Sequence, residues 1–328
     1  MTEDSPFRLL QQTAMSYALP RSLHVVAELG VADHLDDEPQ TGTALATAVD
    51  ADAEALTRLL RLLSAYGIFE MRGSQFAHTA ASRLLRSDHP QSQRPIVRML
   101  GRGWQLRCYE QLEYTARTGR PASEKVLPNG FAYFGEHPEE GRLFDAAMSA
   151  MSYDDIPSIL AAYDFSRFGT IGDIGGGYGH VLQAVLTAAP NAKGVLYDLP
   201  HVTNNVADVV TARVHIETGD FFKDAIPPCD CYILKDVIHD WDDADAVRIL
   251  SAVRRSAPAG ARLLLVESLI PDDAGPSFVK LFDVHMMLVG GKQRTRPQFE
   301  QLYLNARFTL ERVIPTRSRL SIIEGVVA

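Results

Sequence analysis

The sequence predicts an α/β chain: a mostly parallel, helix-covered sheet in its C-terminal half, preceded by a helical region with a winged-helix pattern. Three observations predict it. From about Phe165 onward, short apolar runs alternate with helical stretches, the mark of a parallel sheet covered by helices. Within that half, Thr170–Gly179 (TIGDIGGGYG) leads from an apolar run through Gly175, Gly177 and Gly179 into the helix-like segment Val181–Ala189. Finally, 328 residues are enough for two domains, one of them able to hold a sheet of about six or seven strands.

Composition narrows the function classes. Hydrophobic content of 46% and charged content of 22% are ordinary for a globular chain. A net charge of −9 argues against a nucleic-acid partner, which needs a basic face. Cys108, Cys229 and Cys231 make no disulfide framework, and the pair flanking Asp230 reads as small buried thiols rather than a metal site. The start, MTEDSPF, lacks the apolar core of a signal peptide, and no run reaches membrane-span length. The cytoplasm is the default expectation.

From Ser5 to about Leu35, Leu9, Leu10, Ala14, Tyr17, Leu23, Val26 and Leu29 recur at helical spacing, giving two helices broken near Pro20. A short helix (Thr43–Val49), a turn with Asp50 or Asp52 as N-cap, a longer helix (Ala53–Ala65) and a wing (Ile68–Glu70, Gln75–His78) follow. That pattern suggests a DNA reader. Against it, the recognition-helix position offers only Glu54, Arg58 and Arg61, while Leu56, Leu59, Leu60, Leu62 and Leu63 spread around the helix as if buried against another chain. A dimer-forming winged helix is the preferred reading.

Arg98–Arg117 reads as helical, with Trp104, Leu106, Tyr109 and Leu112, before a loop holding Pro121, Pro128, Asn129 and Gly130. Phe131, Phe134, Phe144, Met148 and Met151 then form a stripe that is core first and a pocket for a flat ring second. The domain expectation is therefore 1–95 for dimerisation, 96–160 as a helical connection lining the substrate pocket, and 161–328 for cofactor binding and catalysis. In that last region strands are expected at Thr170–Ile174, Gly194–Tyr197, Val214–Glu217, Cys231–Leu234 and Leu263–Val266. Helices are expected at Asp243–Ser256, Phe278–Leu288 and Pro297–Asn305, then an edge hairpin from Phe308–Val313 and Leu320–Val327.

Strand ends in such a sheet deliver side chains to one crevice. Here they carry Asp173, Asp198, Asp220-Phe221-Phe222 and Lys235-Asp236. Asp173, two residues before the first glycine, would repel a pyrophosphate but suits a ligand bearing an ammonium group, such as S-adenosylmethionine. Asp198 would accept from the ribose hydroxyls, Asp220 would meet an adenine amino group, and a phenylalanine ring would stack on the base. Beyond the fourth strand, His239 beside Asp240 and near Glu267 has the makings of a general base for a phenol of pKa ~10. A metal reading of HDWDD is weaker, because Asp242 and Asp243 look like the N-cap and first turn of a helix.

These blocks (DIGGGYG, LYDLP, GDFF, LKDVIHDWDD, VESLIPDD and GGKQRT, after a winged-helix region) resemble the S-adenosylmethionine-dependent O-methyltransferases of the plant caffeic-acid type and their bacterial natural-product relatives. The resemblance implies a class I methyltransferase fold, Rossmann-like with a C-terminal antiparallel hairpin, and an intimate homodimer. It implies cofactor contacts at Gly175, Asp198, Asp220, Phe221 and Lys235, to which the reading of the glycine turn and strand ends adds Asp173, Gly177 and Phe222, with His239 as base and Glu267 orienting it. The acceptor pocket would draw on Trp104, Phe134, Phe144, Met148, Met151, Asp236, Phe282, Met286 and Gln293, with no metal. One departure stands out: relatives often have an acid at the position of Gln293, so Asp240 and Glu267 would hold His239 while Gln293 touches substrate. The expected reaction is methylation of a phenolic or enolic hydroxyl on a planar aromatic polyketide or phenazine. Competing expectations are proximity-driven or non-methylating chemistry on the same fold, a nicotinamide oxidoreductase, and a metabolite-responsive DNA-binding regulator.

Overall fold

A computed structural model describes residues 5–127, 132–204, 206 and 212–327. It divides into two compact units, Met1–Glu110 with Lys125–Tyr153, and Gln111–Glu124 with Asp154–Ala328. Residues 96–160, set apart by sequence as a connection, are shared between the two.

In the first unit the opening helices run Pro6–Met15 and Ala18–Leu29. The break falls at Ser16–Tyr17 rather than near Pro20. Pro20 sits in the first turn of the second helix, where a missing N–H removes no helical hydrogen bond. Thr41 caps Gly42–Ala48 through the Ala44 N–H (3.2 Å), and Asp52, not Asp50, caps Ala53–Ala65 through the Ala55 N–H (2.8 Å). Strands β1 (Gln40–Thr41), β2 (Phe69–Arg72) and β3 (Gln75–His78) form the antiparallel wing in the order β1-β3-β2. Leu56, Leu60 and Leu63 are buried in this unit's own core with Val26, Leu35, Leu45, Phe69 and Phe76. The leucines expected to face another chain therefore pack largely within their own.

Arg98–Arg117 is not one helix but parts of three: Arg94–Leu100, Gly103–Glu110 and Leu112–Thr118. A Cβ at Gly101 would stand 2.6 Å from His24 Cβ, so the glycine that interrupts the helix also lets the chain pass close to its neighbour. Trp104, Phe134, Phe144 and Met148 join Met99, Leu127, Leu143 and Ala147 in one cluster, with Phe134 stacked on Phe144 at 4.6 Å. Met151 lies half-buried on the helix Pro138–Ala162. Pro128, Asn129, Gly130 and Phe131 lie outside the described residues.

The second unit holds β4 (Thr170–Ile174), β5 (Lys193–Asp198), β6 (Val214–Thr218), β7 (Cys231–Lys235), β8 (Arg262–Glu267), β9 (Phe308–Pro315) and β10 (Ser321–Val327). Their order is β6-β5-β4-β7-β8-β10-β9; the first five run parallel and the hairpin antiparallel, as the sequence predicts. Residues of alternate parity serve opposite faces. Leu263 and Leu265 pack with Ile249, Leu250, Val253 and Phe299, while Leu264 and Val266 pack with Ile171, Leu182, Val185 and Ile233. Strand order reverses between β4 and β7, and that switch point opens a crevice at the carboxyl ends of the strands. Cys108, Cys229 and Cys231 are free and buried.

Candidate active site

At the end of β4 the chain turns through Gly175 (φ +68°), Gly177 (φ +58°) and Gly179 (φ +74°), left-handed conformations that glycine adopts without a Cβ penalty. The Gly175 N–H donates to the Tyr197 carbonyl (2.8 Å), tying the turn to β5. Asp198 closes the hollow: its Oδ2 accepts from the Gly177 N–H (2.8 Å) and its Oδ1 from the Leu199 N–H (2.7 Å). Beneath lies Asp173, 1% exposed, whose Oδ2 has no hydrogen-bond partner. Burial first, and the Asp198 charge second, push its carboxyl up to about 7. Burial likewise raises Asp198, against the opposing pull of the two N–H donors. A buried oxygen left unpaired costs about 1–3 kcal/mol, and a cation supplies what this one lacks.

Past β6, the Asp220 carboxylate is turned onto its own loop, accepting from the Phe222 N–H (2.9 Å) and pairing with Lys223 (2.8 Å). Phe221 and Phe222 meet each other and Trp241 edge to face, making an aromatic wall beside that acid.

The last residue of β8, Glu267, is fully buried and organises the end of β7. Its Oε1 accepts from the backbone N–H groups of Val237 (3.1 Å), Ile238 (2.8 Å) and His239 (3.3 Å), and its Oε2 lies 2.8 Å from His239 Nδ1. With Nδ1–H directed at a carboxylate, Nε2 is the nitrogen left to accept a proton. Burial favours the neutral ring, but Glu267, then Asp240 and Asp236, overcome it and raise His239 to about 9. Asp240, expected to share the clamp, stands 3.4 Å from Nε2 with an exposed side chain, so the hydrogen bond that orients the ring comes from Glu267.

Phe282 meets the His239 ring edge-on at 5.8 Å, and Met286 is buried on the same helix, Phe278–Val289. Gln293 is 2% exposed with both amide atoms unpartnered, while its backbone N–H donates to Asp283 (2.8 Å). Lys235, expected at the cofactor, and Asp236, expected at the acceptor, are joined to each other (Nζ to Oδ2, 2.6 Å). Trp104, Phe134, Phe144, Met148 and Met151 belong to the first unit.

Two arginines escaped the sequence reading. Arg294 is completely buried and donates to the carbonyls of Ile238 (2.9 Å) and Trp241 (2.8 Å) and to Asp243 (2.9 Å), pinning the loop that carries His239. Arg319 grips Asp236 through both carboxylate oxygens, at 3.1 and 2.6 Å. A metal is poorly served here. Asp236, His239 and Glu267 converge, but Asp236 already neutralises Lys235 and Arg319, and Glu267 is taken up by N–H donors. Asp242 caps the helix Asp243–Ser256 through the Asp245 N–H (2.8 Å).

Comparison with known proteins adds a family. Residues 109–309 match the O-methyltransferase domain and residues 11–88 the O-methyltransferase dimerisation domain. The chain is 39% identical over 325 residues to phenazine O-methyltransferase PhzM of Lysobacter antibioticus, covering 97% of this chain and 95% of that protein. It is 37% identical over 316 residues to 8-amino-8-demethylriboflavin N,N-dimethyltransferase of Streptomyces davaonensis, covering 92% and 90%. Among solved structures it superposes on CalO1, the methyltransferase of calicheamicin biosynthesis in its SAH-bound form, with TM-score 0.91, 33% identity and full coverage of both chains (100% each). Among the described residues no helix is long and apolar enough to cross a membrane.

Proposed function

The chain belongs to the O-methyltransferase family, whose methyl donor is S-adenosylmethionine, and from that premise we propose that it methylates a hydroxyl group on a flat aromatic metabolite, with His239 as general base. The observation that carries the base assignment is the 2.8 Å contact between Glu267 Oε2 and His239 Nδ1, which leaves Nε2 to take the acceptor's proton.

S-adenosylmethionine supplies, when bound, a methyl group on a positively charged sulfur. The residues present fit such a ligand: an unpartnered, buried carboxylate oxygen on Asp173 beneath a glycine turn answers a cation rather than a phosphate. In this reading Asp198 would accept from the ribose hydroxyls as well as from its two backbone N–H donors, and Asp220 with the Phe221 and Phe222 rings would meet the adenine. The carboxylates around His239 push its ring up to about 9, towards a phenol's ~10, so in its neutral form Nε2 is a stronger proton acceptor than an ordinary imidazole. The rest of the protein's work is alignment of the acceptor oxygen for in-line displacement.

The acceptor is read from chemistry and kinship together. Phenazine and flavin rings, the acceptors named for the two relatives, are flat and aromatic, which supports a flat aromatic acceptor for this chain. Homodimerisation follows from the N-terminal match and from Phe7, Leu9, Leu10 and Met15, which stand exposed on the first helix. A second reading, methylation of an aromatic amine, is favoured by the 37% identical N,N-dimethyltransferase.

Labelled S-adenosylmethionine with a panel of aromatic phenols and amines separates the two. His239→Ala should lower hydroxyl methylation by about 10²–10⁴-fold, whereas an amine attacks through its own lone pair and loses far less. Full-rate hydroxyl methylation by His239→Ala would remove the base and leave proximity alone.

A further inference from the structure

We propose that Arg319 is a positioning residue for the base: it takes up the Asp236 carboxylate and so leaves Glu267 as the sole hydrogen-bond partner of His239 Nδ1. The inference rests on reading His239 as the base, and its test is chosen to stand apart from that reading.

Two carboxylates compete for Nδ1. Glu267 Oε2 lies at 2.8 Å and Asp236 Oδ1 at 3.6 Å. Asp236, three residues before His239, has φ +52°, a left-handed conformation uncommon outside glycine. Arg319, in the connection between β9 and β10, closes on it, Nη1 donating to Oδ1 (3.1 Å) and Nη2 to Oδ2 (2.6 Å). The same guanidinium reaches Asp155 Oδ2 (3.1 Å) and Ser268 Oγ (3.4 Å), and Lys235 Nζ lies 3.5 Å from Asp155 Oδ2.

Two cations thus stand against two carboxylates, and the group is close to neutral as seen from the imidazole. A planar fork holds both oxygens of Asp236 at once, which a single ammonium does not do. Without Arg319, Oδ1 is free to turn the short remaining distance to Nδ1, and one N–H then faces two acceptors. The ring's orientation, which decides where Nε2 points, is no longer fixed by Glu267 alone.

The other charged groups around His239 do not duplicate this role. Asp240 lies beside Nε2. Lys292 and Arg294 are paired with Asp243, and their N–H groups otherwise meet backbone carbonyls of the loop. From the helix Phe278–Val289 comes the edge of Phe282, with His285 stacked behind it.

The test is a titration of His239 itself in the whole ligand-free protein, using isotope-labelled histidine and nuclear magnetic resonance, with the peak assigned by its loss in His239→Gln. No acceptor is needed, so its failure and that of the proposed reaction are distinguishable. Arg319→Gln should raise the midpoint by about half to one pH unit, because Asp236 loses half of its neutralising charge. Arg319→Lys should shift it less. Asp155→Asn should lower it, because Arg319 and Lys235 then weigh more heavily on the ring. Shifts of opposite sign are not what general damage to folding produces, and if Arg319→Gln does not fold, the other two variants carry the test. An unmoved midpoint, or the same sign from Arg319→Gln and Asp155→Asn, overturns the proposal.

Discussion

The two ends of the crevice in the second unit are built on opposite plans. Around His239 the groups that hold the ring are answered: Glu267 takes three backbone N–H donors and the His239 ring, Arg294 fixes the loop carbonyls, and Arg319 neutralises Asp236. At the glycine hollow, Asp173 is buried with an oxygen that nothing answers, and its neighbour Asp198 carries the same sign of charge. The charged groups of one region are paired before any ligand arrives; in the other a buried charge stays unpaired until one does. A catalytic base must be held at a fixed angle at the moment of proton transfer. A binding site for a charged ligand gains affinity by leaving that ligand's counter-charge unsatisfied.

The largest effect should come from breaking the paired region. Glu267→Gln preserves shape but removes the charge, and it should destabilise the protein by about 3–5 kcal/mol, since one partner of a buried pair is lost. His239 should then titrate well below about 9, because the first of the contributions that raise it is gone. Denaturant unfolding and histidine resonances measure both; an unchanged His239 midpoint would show that Glu267 does not set its basicity.

Asp173→Asn should do the reverse at the hollow. The folded-state value of Asp173, about 7, stands above that of a free carboxyl, so the folded chain holds a proton that the unfolded chain has lost. Stability from this group is therefore greatest in acid and declines as pH rises to 7. Removing the charge should stabilise the ligand-free protein by about 1–3 kcal/mol at pH 8, while weakening binding of the methyl donor. A variant that is less stable than the parent and still binds the donor normally would contradict the comparison.

The smallest effect is a slope. Donor affinity in the parent protein should rise with pH as Asp173 ionises through about 7 and level off above it, and Asp173→Asn should flatten the curve. Calorimetric titration across pH 6 to 8.5 would show it. A profile equally steep in the variant assigns the dependence elsewhere.

Local patterning accounts for much of what could be read in advance. Asp173, Asp198, Asp220, Lys235 and Glu267 all sit at or just beyond the ends of apolar runs, and residues there arrive at one edge of a parallel sheet. The edge hairpin was legible because two strand-like runs flank a short polar stretch. Arg294 and Arg319 were not legible. Each acts on groups more than fifty residues away in sequence, and no periodicity marks an arginine whose partners are a backbone carbonyl or a distant aspartate. The break at Ser16–Tyr17, the splitting of Arg98–Arg117 and the inward packing of Leu56, Leu60 and Leu63 escaped for a similar reason. Apolar spacing says which residues want burial, but not which neighbour will bury them.

Sequence by itself determined the alternation of strand and helix, the glycine turn with its acid, and the presence of a histidine beyond the fourth strand. These follow from short-range stereochemistry and from the period of the apolar positions. Only the tertiary structure decided that Glu267 rather than Asp240 holds the ring, that Asp236 belongs to Arg319, and that Asp173 is left wanting a partner. Charge pairing in a buried site depends on which strand ends become neighbours, and that is fixed by the order of the whole sheet.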